Sequence, residues 1–200
     1  MIYLERLWLG ALARGTGSVH RKQVAAWVIG LLPLMAGLAC APAEDLHTLQ
    51  QEIRQRYPEV SQISVEKLQA ELSESAENII LLDAREAREF EVSHLPTARL
   101  ATDLQMAKQQ LAGLPSEGAP EDLGLKDRKI VIYCSVGYRS SALAQKLTEA
   151  GYGNVHNLEG SIFAWANGGL PVYREERGVQ QVHPYDENWG RYLRRELWAW

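Results

Sequence analysis

The sequence predicts an α/β fold in which a central, mostly parallel sheet of about five strands is flanked by helices. Three observations indicate this fold. Two short runs, residues 79–82 (IILL) and 130–133 (IVIY), are apolar throughout, as are strands that are buried on both faces of a parallel sheet. Segments with helical spacing of apolar residues separate these runs from the other candidate strands. Strands that alternate with helices need crossover connections, which place neighbouring strands parallel.

The first predicted elements lead into this sheet. Residues 45–57 carry apolar side chains at helical spacing, with Asp45 in position to cap a helix. Pro58 ends that segment. Residues 62–64 are a candidate short edge strand, and Ser64 is in place to cap the next helix, which runs through position 72. We expect the first helix to pack on the domain that follows.

The alternation of strands and helices continues from Asp83 to Gly169. The further predicted elements are a helix over 87–92, a short strand near 99–101, a helix over 104–111 capped by Thr102 or Asp103, a surface loop over 113–124, a strand over 154–157 and a helix over 159–167. Ligands of a parallel sheet bind at the carboxyl ends of its strands. Asp83 and Cys134 both follow strands at such ends.

Cys134 lies on a tight turn between the strand over 130–133 and a helix that stops at Gly151. The first backbone N–H groups of that helix have no partners within it, so they stabilise an anion in the turn. Arg139 adds a positive charge, and Gly137 and Ser140 suit a loop that surrounds an anion. These features favour a reactive thiolate at neutral pH. The alternative is an inert core residue, since free cysteine is among the most buried residue types.

Composition limits the classes of function. The 200 residues are 46% hydrophobic and 23% charged, which is typical of a soluble globular protein. A formal charge of -4 and the lack of a long Lys/Arg run give no support for nucleic-acid binding. The two cysteines, Cys40 and Cys134, make no disulfide framework and show no paired zinc spacing. The sequence indicates no metal and no organic cofactor.

Residues 1–43 are predicted to be a signal peptide or another membrane-targeting segment. Residues 24–39 contain no charge, follow two basic residues and precede small ones, which is the order of a secretory signal. Cleavage after residues 41–43 (APA) competes with a lipoprotein-like box at 37–40 (GLAC), in which Cys40 is lipidated. An uncleaved membrane anchor is a third alternative, although a transmembrane helix needs about 20 apolar residues. We expect export to the periplasm or an equivalent lumen.

Three motifs, in this order, resemble the rhodanese-like domain, the sulfurtransferase family. They are LLDAREAREFEVSHLPTA at 81–98, IVIYCSVGYRSSALAQKLTEAGY at 130–152 and VHNLEGSIFAWANGGLPV at 155–172. The resemblance covers about residues 61–172 and implies a rhodanese-like three-layer fold. Residues 44–60 would then be an N-terminal helical extension, and residues 173–200 a C-terminal aromatic-rich arm.

The resemblance implies that Cys134 is the catalytic nucleophile of a sulfurtransferase. It would take a sulfane sulfur from a small anionic donor such as thiosulfate, become a persulfide, and pass the sulfur to a thiol or to cyanide. The residues of the substrate-binding loop, whose backbone amides would stabilise thiolate and persulfide, would be Ser135, Val136, Gly137, Tyr138 and Ser140.

Two arginines also have implied roles. Arg139 would orient the anionic donor. Asp83 and Arg85 match the family's acidic-arginine pair, which implies mainly a structural ion pair at the end of the sheet; the alternative is a direct catalytic role for that pair. The spacing from Cys134 to Arg139 is C-x4-R, as in the sulfurtransferases, whereas the related phosphatases have a wider C-x5-R loop. Arsenate reduction also occurs with the shorter loop and stays an alternative.

One turn departs from the family pattern. The usual glycine-histidine-isoleucine-x-glycine-alanine turn is replaced by SHLPTA at 93–98, so Ser93 and Thr97 stand where the family has glycine. This departure bears on the geometry of the turn more than on the chemistry.

The family match ends after Val172. The arm over 173–200 contains a predicted helix that begins at Asp186 or Glu187 and is rich in tryptophan, tyrosine and arginine. We expect the arm to pack on the domain; the alternative is a docking surface for a partner or a membrane interface. A second hypothesis for function follows from that alternative: a non-catalytic rhodanese-like binding module that acts in protein interaction or anion sensing, with a protein partner that the sequence does not name.

Overall fold

The computed structural model describes residues 45–114 and 128–200. The strands of its central sheet are β1 (Ser61–Ile63), β2 (Ile79–Asp83), β3 (Arg99–Leu100), β4 (Lys129–Tyr133) and β5 (Val155–Leu158). Their order across the sheet is β1-β5-β4-β2-β3, and each neighbouring pair is parallel. The predicted mostly parallel sheet of about five strands is therefore confirmed.

The helices that precede, connect and follow these strands also have the predicted order. They are α1 (His47–Arg56), α2 (Val65–Ser75), α3 (Ala87–Val92), α4 (Leu104–Ala112), α5 (Tyr138–Glu149) and α6 (Ser161–Asn167). Ser64 caps α2 and Asp103 caps α4, each by accepting a hydrogen bond from a backbone N–H three residues later. Helix α6 begins two residues later than predicted, because β5 extends to Leu158 and Gly160 then turns the chain with a φ of 66°.

The sheet lies between two layers of helices. Successive residues of β4 point to opposite faces, so Ile130 and Ile132 pack with α4 and α5, whereas Val131 and Tyr133 pack with α1, α2 and α6. Burial on both faces explains the continuous apolar runs at residues 79–82 of β2 and 130–133 of β4. The three-layer α/β architecture predicted from the sequence is confirmed.

The turn that departs from the family pattern keeps a conformation that suits glycine. Thr97 has a φ of 59°, which is uncommon for a β-branched residue. The backbone N–H of Ala98 donates to the carbonyl of Leu95 at 3.2 Å, and the N–H of Leu95 donates to the hydroxyl of Tyr133 at 3.0 Å. Buried hydrogen bonds therefore hold Thr97 in a conformation that costs about 1–3 kcal/mol for such a residue.

Some predicted features lie outside the described residues. They are the targeting segment at 1–43 and most of the surface loop over 113–124, of which the structure describes Gly113 and Leu114. Within residues 45–114 and 128–200, none of the helices has both the length and the apolar composition needed to cross a membrane.

The carboxy-terminal region contains a hairpin that the sequence analysis did not predict. Strands β6 (Val172–Arg174) and β7 (Arg177–Val179) pair antiparallel, and Tyr173 exchanges backbone hydrogen bonds with His94. The predicted helix does begin at Glu187, but this helix, α7 (Glu187–Gly190), has only four residues. The rest of the arm is irregular apart from a 3-10 turn at Arg195–Leu197.

The arm packs on the domain, as expected. Its buried residues Val182, Leu193 and Leu197 join the core that α1, α2 and α6 form. Asn167, the last residue of α6, holds the arm with both ends of its amide: Nδ2 donates to the carbonyl of Tyr192 at 2.8 Å, and Oδ1 accepts from the N–H of Arg194 at 2.9 Å.

We expect Asn167→Ala to lower the free energy of unfolding by about 1–3 kcal/mol, because it leaves two partly buried backbone groups without partners. Urea unfolding of the full-length chain, followed by tryptophan fluorescence, measures this loss. Asn188→Ala is the matched control, since Asn188 is exposed on the same arm and should change stability by no more than about 0.5 kcal/mol. If the urea unfolding curves of the two variants had equal midpoints and slopes, the hydrogen bonds of Asn167 would not be what holds the arm on the domain.

Candidate active site

Cys134 directly follows the last residue of β4, and three residues separate it from α5, so it lies on a strand-to-helix turn as predicted. Gly137 has a φ of 124°, and a Cβ added there would lie 3.1 Å from Cδ1 of Ile53 on α1. The conformation therefore favours glycine, and a larger residue would also need the side chain of Ile53 to shift by a few tenths of an ångström. Its N–H donates to Sγ of Cys134 at 3.1 Å, so the loop amide stabilises a negative charge on sulfur.

Ser140 supplies a second donor beneath the cysteine. Its Oγ lies 3.4 Å from Sγ of Cys134 and 2.6 Å from Oδ1 of Asn157. Because a hydroxyl has one proton, Ser140 donates to one of these atoms at a time. Ser140 and Gly137 are both buried, and neither of these two predicted loop residues lines the pocket that opens over the cysteine.

A buried carboxylate that the sequence analysis missed holds the loop in place. Glu89, on α3, accepts two hydrogen bonds from the guanidinium of Arg139, at 2.7 and 2.8 Å, and one from Oγ of Ser135 at 3.0 Å. The Glu89 side chain is fully buried, whereas that of Arg139 is 35% exposed. Arg139 also donates to Oγ of Ser135 at 3.0 Å. These three residues form a closed cluster between α3 and the cysteine loop.

The sequence did contain a signal at Glu89, but it points to a different role. Glu86 and Glu89 stand three residues apart at the start of a helix, the spacing of a capping box. The structure has that box, since Glu89 accepts from the N–H of Glu86 at 3.0 Å. The same carboxylate therefore caps α3 and binds Arg139. Burial raises the pKa of Glu89, but hydrogen bonding and charge from Arg139 outweigh it, so the pKa lies below the usual range.

The environment of Cys134 favours the thiolate. Burial raises the pKa of the thiol, but the charge of Arg139 and the hydrogen bonds from Ser140 and Gly137 outweigh that effect, so the pKa is lower than that of an ordinary cysteine. A lower pKa means that the thiolate is present at a lower pH than in a free cysteine, whose pKa is about 8.5. We therefore expect the midpoint of the pH profile of Cys134 alkylation to lie below that of an ordinary cysteine.

Arg139→Gln should move this pH profile to higher pH. The substitution removes the positive charge that favours the thiolate and leaves the negative charge of Glu89 close to the loop, so both changes raise the pKa of Cys134. Iodoacetamide alkylation, measured from pH 5 to 10 on the peptide that contains Cys134, reads the shift. Arg139→Lys keeps the charge and should stay close to the original profile; an unshifted profile for the glutamine variant would contradict this account.

Asp83 and Arg85 form a buried ion pair at the carboxyl end of β2. Both side chains are 0% exposed, and the guanidinium donates to both carboxylate oxygens, with the shortest bond at 2.7 Å. Arg85 also donates to the carbonyl of Ser93 at 2.6 Å and so ties the strand end to the turn over 93–98. Burial lowers the pKa of Arg85, but the charge of Asp83 and the hydrogen bonds to it, with smaller contributions from Tyr133 and Glu89, together raise it by more, so the guanidinium stays charged.

A pocket of about 160 Å³ opens over the cysteine. The residues that line it are Cys134, Ser135, Val136, Tyr138, Arg139, Tyr185 and Trp189. Tyr185 and Trp189 belong to the C-terminal arm, and the sequence analysis did not include them in the site. Cys134 itself is 1% exposed. In the part of the chain that the structure describes, this pocket is therefore the route by which a reactant reaches Sγ.

Comparisons with known proteins place the chain in a family. The model of the rhodanese-like domain matches residues 64–168. A sulfurtransferase of Allochromatium vinosum is 34% identical over 117 residues, which cover 58% of this chain and 98% of that protein. The thiosulfate sulfurtransferase GlpE of Actinobacillus succinogenes is 31% identical over 96 residues, 48% of this chain and 77% of that protein. The BH2092 protein of Bacillus halodurans, a solved structure, shares the fold with a TM-score of 0.51 at 18% identity, over 71% of this chain and 94% of its own.

Proposed function

Because the chain belongs to the rhodanese-like domain family, we propose that it is a sulfurtransferase that moves a sulfane sulfur from thiosulfate or a persulfide donor to a thiophilic acceptor through a persulfide on Cys134. The observation that carries this proposal is the position of Sγ, which lies at the base of a pocket and accepts a hydrogen bond from Gly137. Similarity to sulfurtransferases supports the general class of reaction.

In the first half of the reaction, the Cys134 thiolate attacks the outer sulfur of thiosulfate. The new Sγ–S bond forms as the S–S bond of thiosulfate breaks, and sulfite leaves with the electron pair. The persulfide then has its negative charge on the terminal sulfur. The loop that holds Sγ contributes the N–H of Gly137, while the Glu89–Arg139–Ser135 cluster fixes the loop.

In the second half, a nucleophilic acceptor such as cyanide or a thiolate attacks the terminal sulfur of the persulfide. The Sγ–S bond breaks, and Cys134 returns to the thiolate, which the low pKa of the thiol makes a good leaving group. No general base is required, because the nucleophile is already ionised. The enzyme therefore needs a stable thiolate and an accessible sulfur at the same position.

Steady-state kinetics with thiosulfate and cyanide test the proposal on the full-length chain. A covalent enzyme intermediate predicts ping-pong behaviour, with parallel lines in double-reciprocal plots at several cyanide concentrations. Intersecting lines would indicate that both substrates bind together and would contradict the persulfide route. A lack of turnover with both thiosulfate and a persulfide donor would favour the non-catalytic binding module.

Export to the periplasm or an equivalent lumen stays a prediction, because residues 1–43 lie outside the described part of the chain. The roles of Cys134 in catalysis and of Arg139 in orienting the donor likewise stay predictions until they are measured. Arg139 already pairs with the carboxylate of Glu89, so any donor that Arg139 orients would have to bind a guanidinium that has a partner.

A further inference from the structure

The walls of the pocket over Cys134 are mostly apolar. Val136 and Tyr138 come from the cysteine loop and α5, and Tyr185 and Trp189 come from the C-terminal arm. The rings of Tyr138 and Trp189 meet edge to face with centroids 6.1 Å apart, which joins the two sides of the pocket. A reactant in this pocket therefore contacts aromatic carbon on the side that the arm provides.

The arginines around the pocket are already paired with carboxylates. Arg139, the one charged residue among the described lining residues, binds Glu89 with both terminal nitrogens, and its guanidinium lies 5.0 Å from the ring centre of Tyr185. Arg88 lies 5.6 Å from the same ring and pairs with Glu86 at 2.8 Å. These pairs leave little excess positive charge to offset a doubly charged anion next to the thiolate.

The aromatic wall is held in place by hydrogen bonds within the arm. The N–H of Tyr185 donates to Nδ1 of the buried His183 at 3.0 Å, and Asp186 caps α7 by accepting from the N–H of Trp189 at 2.8 Å. Tyr185 has a φ of 70°, a conformation that persists in a non-glycine residue only when its surroundings fix it. A wall that is fixed before binding loses little conformational entropy when a ligand contacts it.

The volume of the pocket suits a small apolar group. A cavity of about 150 Å³ lined by apolar side chains binds benzene, and the pocket here measures about 160 Å³. A phenyl ring or a short alkyl chain would therefore fill it, with a sulfur atom directed at Sγ of Cys134.

From the lining, the paired charges and the volume, we infer that this site takes an organic, singly charged sulfane-sulfur donor in preference to inorganic thiosulfate. The apolar body of this donor is about the size of a phenyl ring. Trp189 and Tyr185 provide the specificity for it. The inference rests on the proposed function. It adds the class of donor and assigns to the C-terminal arm a direct part in binding it.

An organic thiosulfonate illustrates the reaction. The Cys134 thiolate attacks the sulfane sulfur, the Sγ–S bond forms, and the bond between the sulfane sulfur and the sulfonyl sulfur breaks. The electron pair of that bond leaves with the sulfinate. One thiolate and one thiosulfonate anion give one persulfide anion and one sulfinate anion, so charge and electrons balance without an oxidant, a reductant or a proton.

Two donors that differ only in their carbon group test the inference on the full-length chain. Benzenethiosulfonate and methanethiosulfonate have the same charge and the same reacting sulfur, and cyanide serves as acceptor for both. We expect kcat/KM for the benzene compound to exceed that for the methane compound by at least about tenfold, after division by the ratio of their uncatalysed rates with cyanide. Thiosulfate, measured in parallel, should have a lower kcat/KM than the benzene compound.

Trp189→Ala should reduce that corrected ratio to near one, whereas Trp189→Phe, which keeps a ring, should retain most of it. Trp200→Ala is the matched control, because Trp200 lies on the same arm, is 67% exposed and does not line the pocket; it should keep the full ratio. Circular dichroism verifies that each variant is folded.

Three results would overturn the inference: a corrected ratio near one in the unsubstituted chain, a ratio that Trp189→Ala leaves unchanged, or a kcat/KM for thiosulfate that is equal to or above that for the benzene compound. If thiosulfate is turned over but such a result is found, the donor assignment is wrong while the proposed function stands. If no donor produces thiocyanate, both are wrong. The two failures are therefore distinguishable.

Discussion

Replacing Cys134 with serine should lower sulfur transfer to cyanide by at least about 10³-fold, the scale on which loss of a catalytic nucleophile acts. A serine hydroxyl stays protonated at neutral pH and does not form a persulfide, so the covalent step has no substitute. The substitution is small and leaves the Gly137 loop intact, so we expect the variant to fold. Thiocyanate formation from thiosulfate, or from an organic thiosulfonate, measures the loss.

Cys40→Ser is the matched control for this experiment. The chain has two cysteines, and Cys40 belongs to the predicted targeting segment. We expect the Cys40 variant to keep its activity. If the Cys134 variant kept its activity and the Cys40 variant lost it, the assignment of the nucleophile would be refuted.

Truncating Arg85 to alanine should lower the free energy of unfolding by about 3–5 kcal/mol, because it leaves a buried carboxylate without its counter-charge. Asp83 and Arg85 are 0% exposed and joined by three side-chain hydrogen bonds. The truncation also removes the bond from Arg85 to the carbonyl of Ser93. Chemical unfolding of the full-length chain, monitored by circular dichroism, measures the change.

Arg88→Ala provides a comparison of the same substitution three residues later. The side chains of Arg88 and its partner Glu86 are 56% and 50% exposed, so solvent screens their interaction and the loss of stability should be much smaller than that of Arg85→Ala. Similar losses for Arg85→Ala and Arg88→Ala would show that the buried pair is not the main structural contact at the end of β2.

The sequence was sufficient to predict the sheet, because strands that are buried on both faces appear as continuous apolar runs. Residues 79–82 of β2 and 130–133 of β4 are apolar whichever face they point to, and the lengths of these runs match those of short strands. The helix starts at Ser64 and Asp103 were also predictable, since their side chains satisfy local N–H groups without help from distant residues. Local chemistry thus determines these features.

The hairpin of β6 and β7 was not predictable in the same way. Its residues include Arg174, Glu175, Glu176 and Arg177, which show no apolar alternation, and its turn uses Glu175 at a φ of 54° where a glycine or asparagine is usual. The hairpin forms because Tyr173 pairs with the backbone of His94, nearly eighty positions earlier. A contact that joins distant segments leaves no local signal.

The residues of the site also differ in whether a local sequence pattern predicts them. Cys134, Gly137 and Arg139 belong to one continuous loop, so their spacing is visible in the sequence. Glu89 and Trp189 reach the loop only through the tertiary fold, from α3 and from the arm. Their sequence contexts indicate a helix cap and an aromatic arm, and neither context identifies which surface the side chain will meet.

The most direct test of the account is to locate the transferred sulfur. The full-length chain is incubated with thiosulfate or an organic thiosulfonate, freed of excess donor, and analysed by mass spectrometry of its peptides before and after addition of cyanide. We predict one added sulfur atom on the peptide that contains Cys134, and its loss on addition of cyanide together with an equal amount of thiocyanate. Turnover without added sulfur on that peptide would contradict a Cys134 persulfide as the carrier.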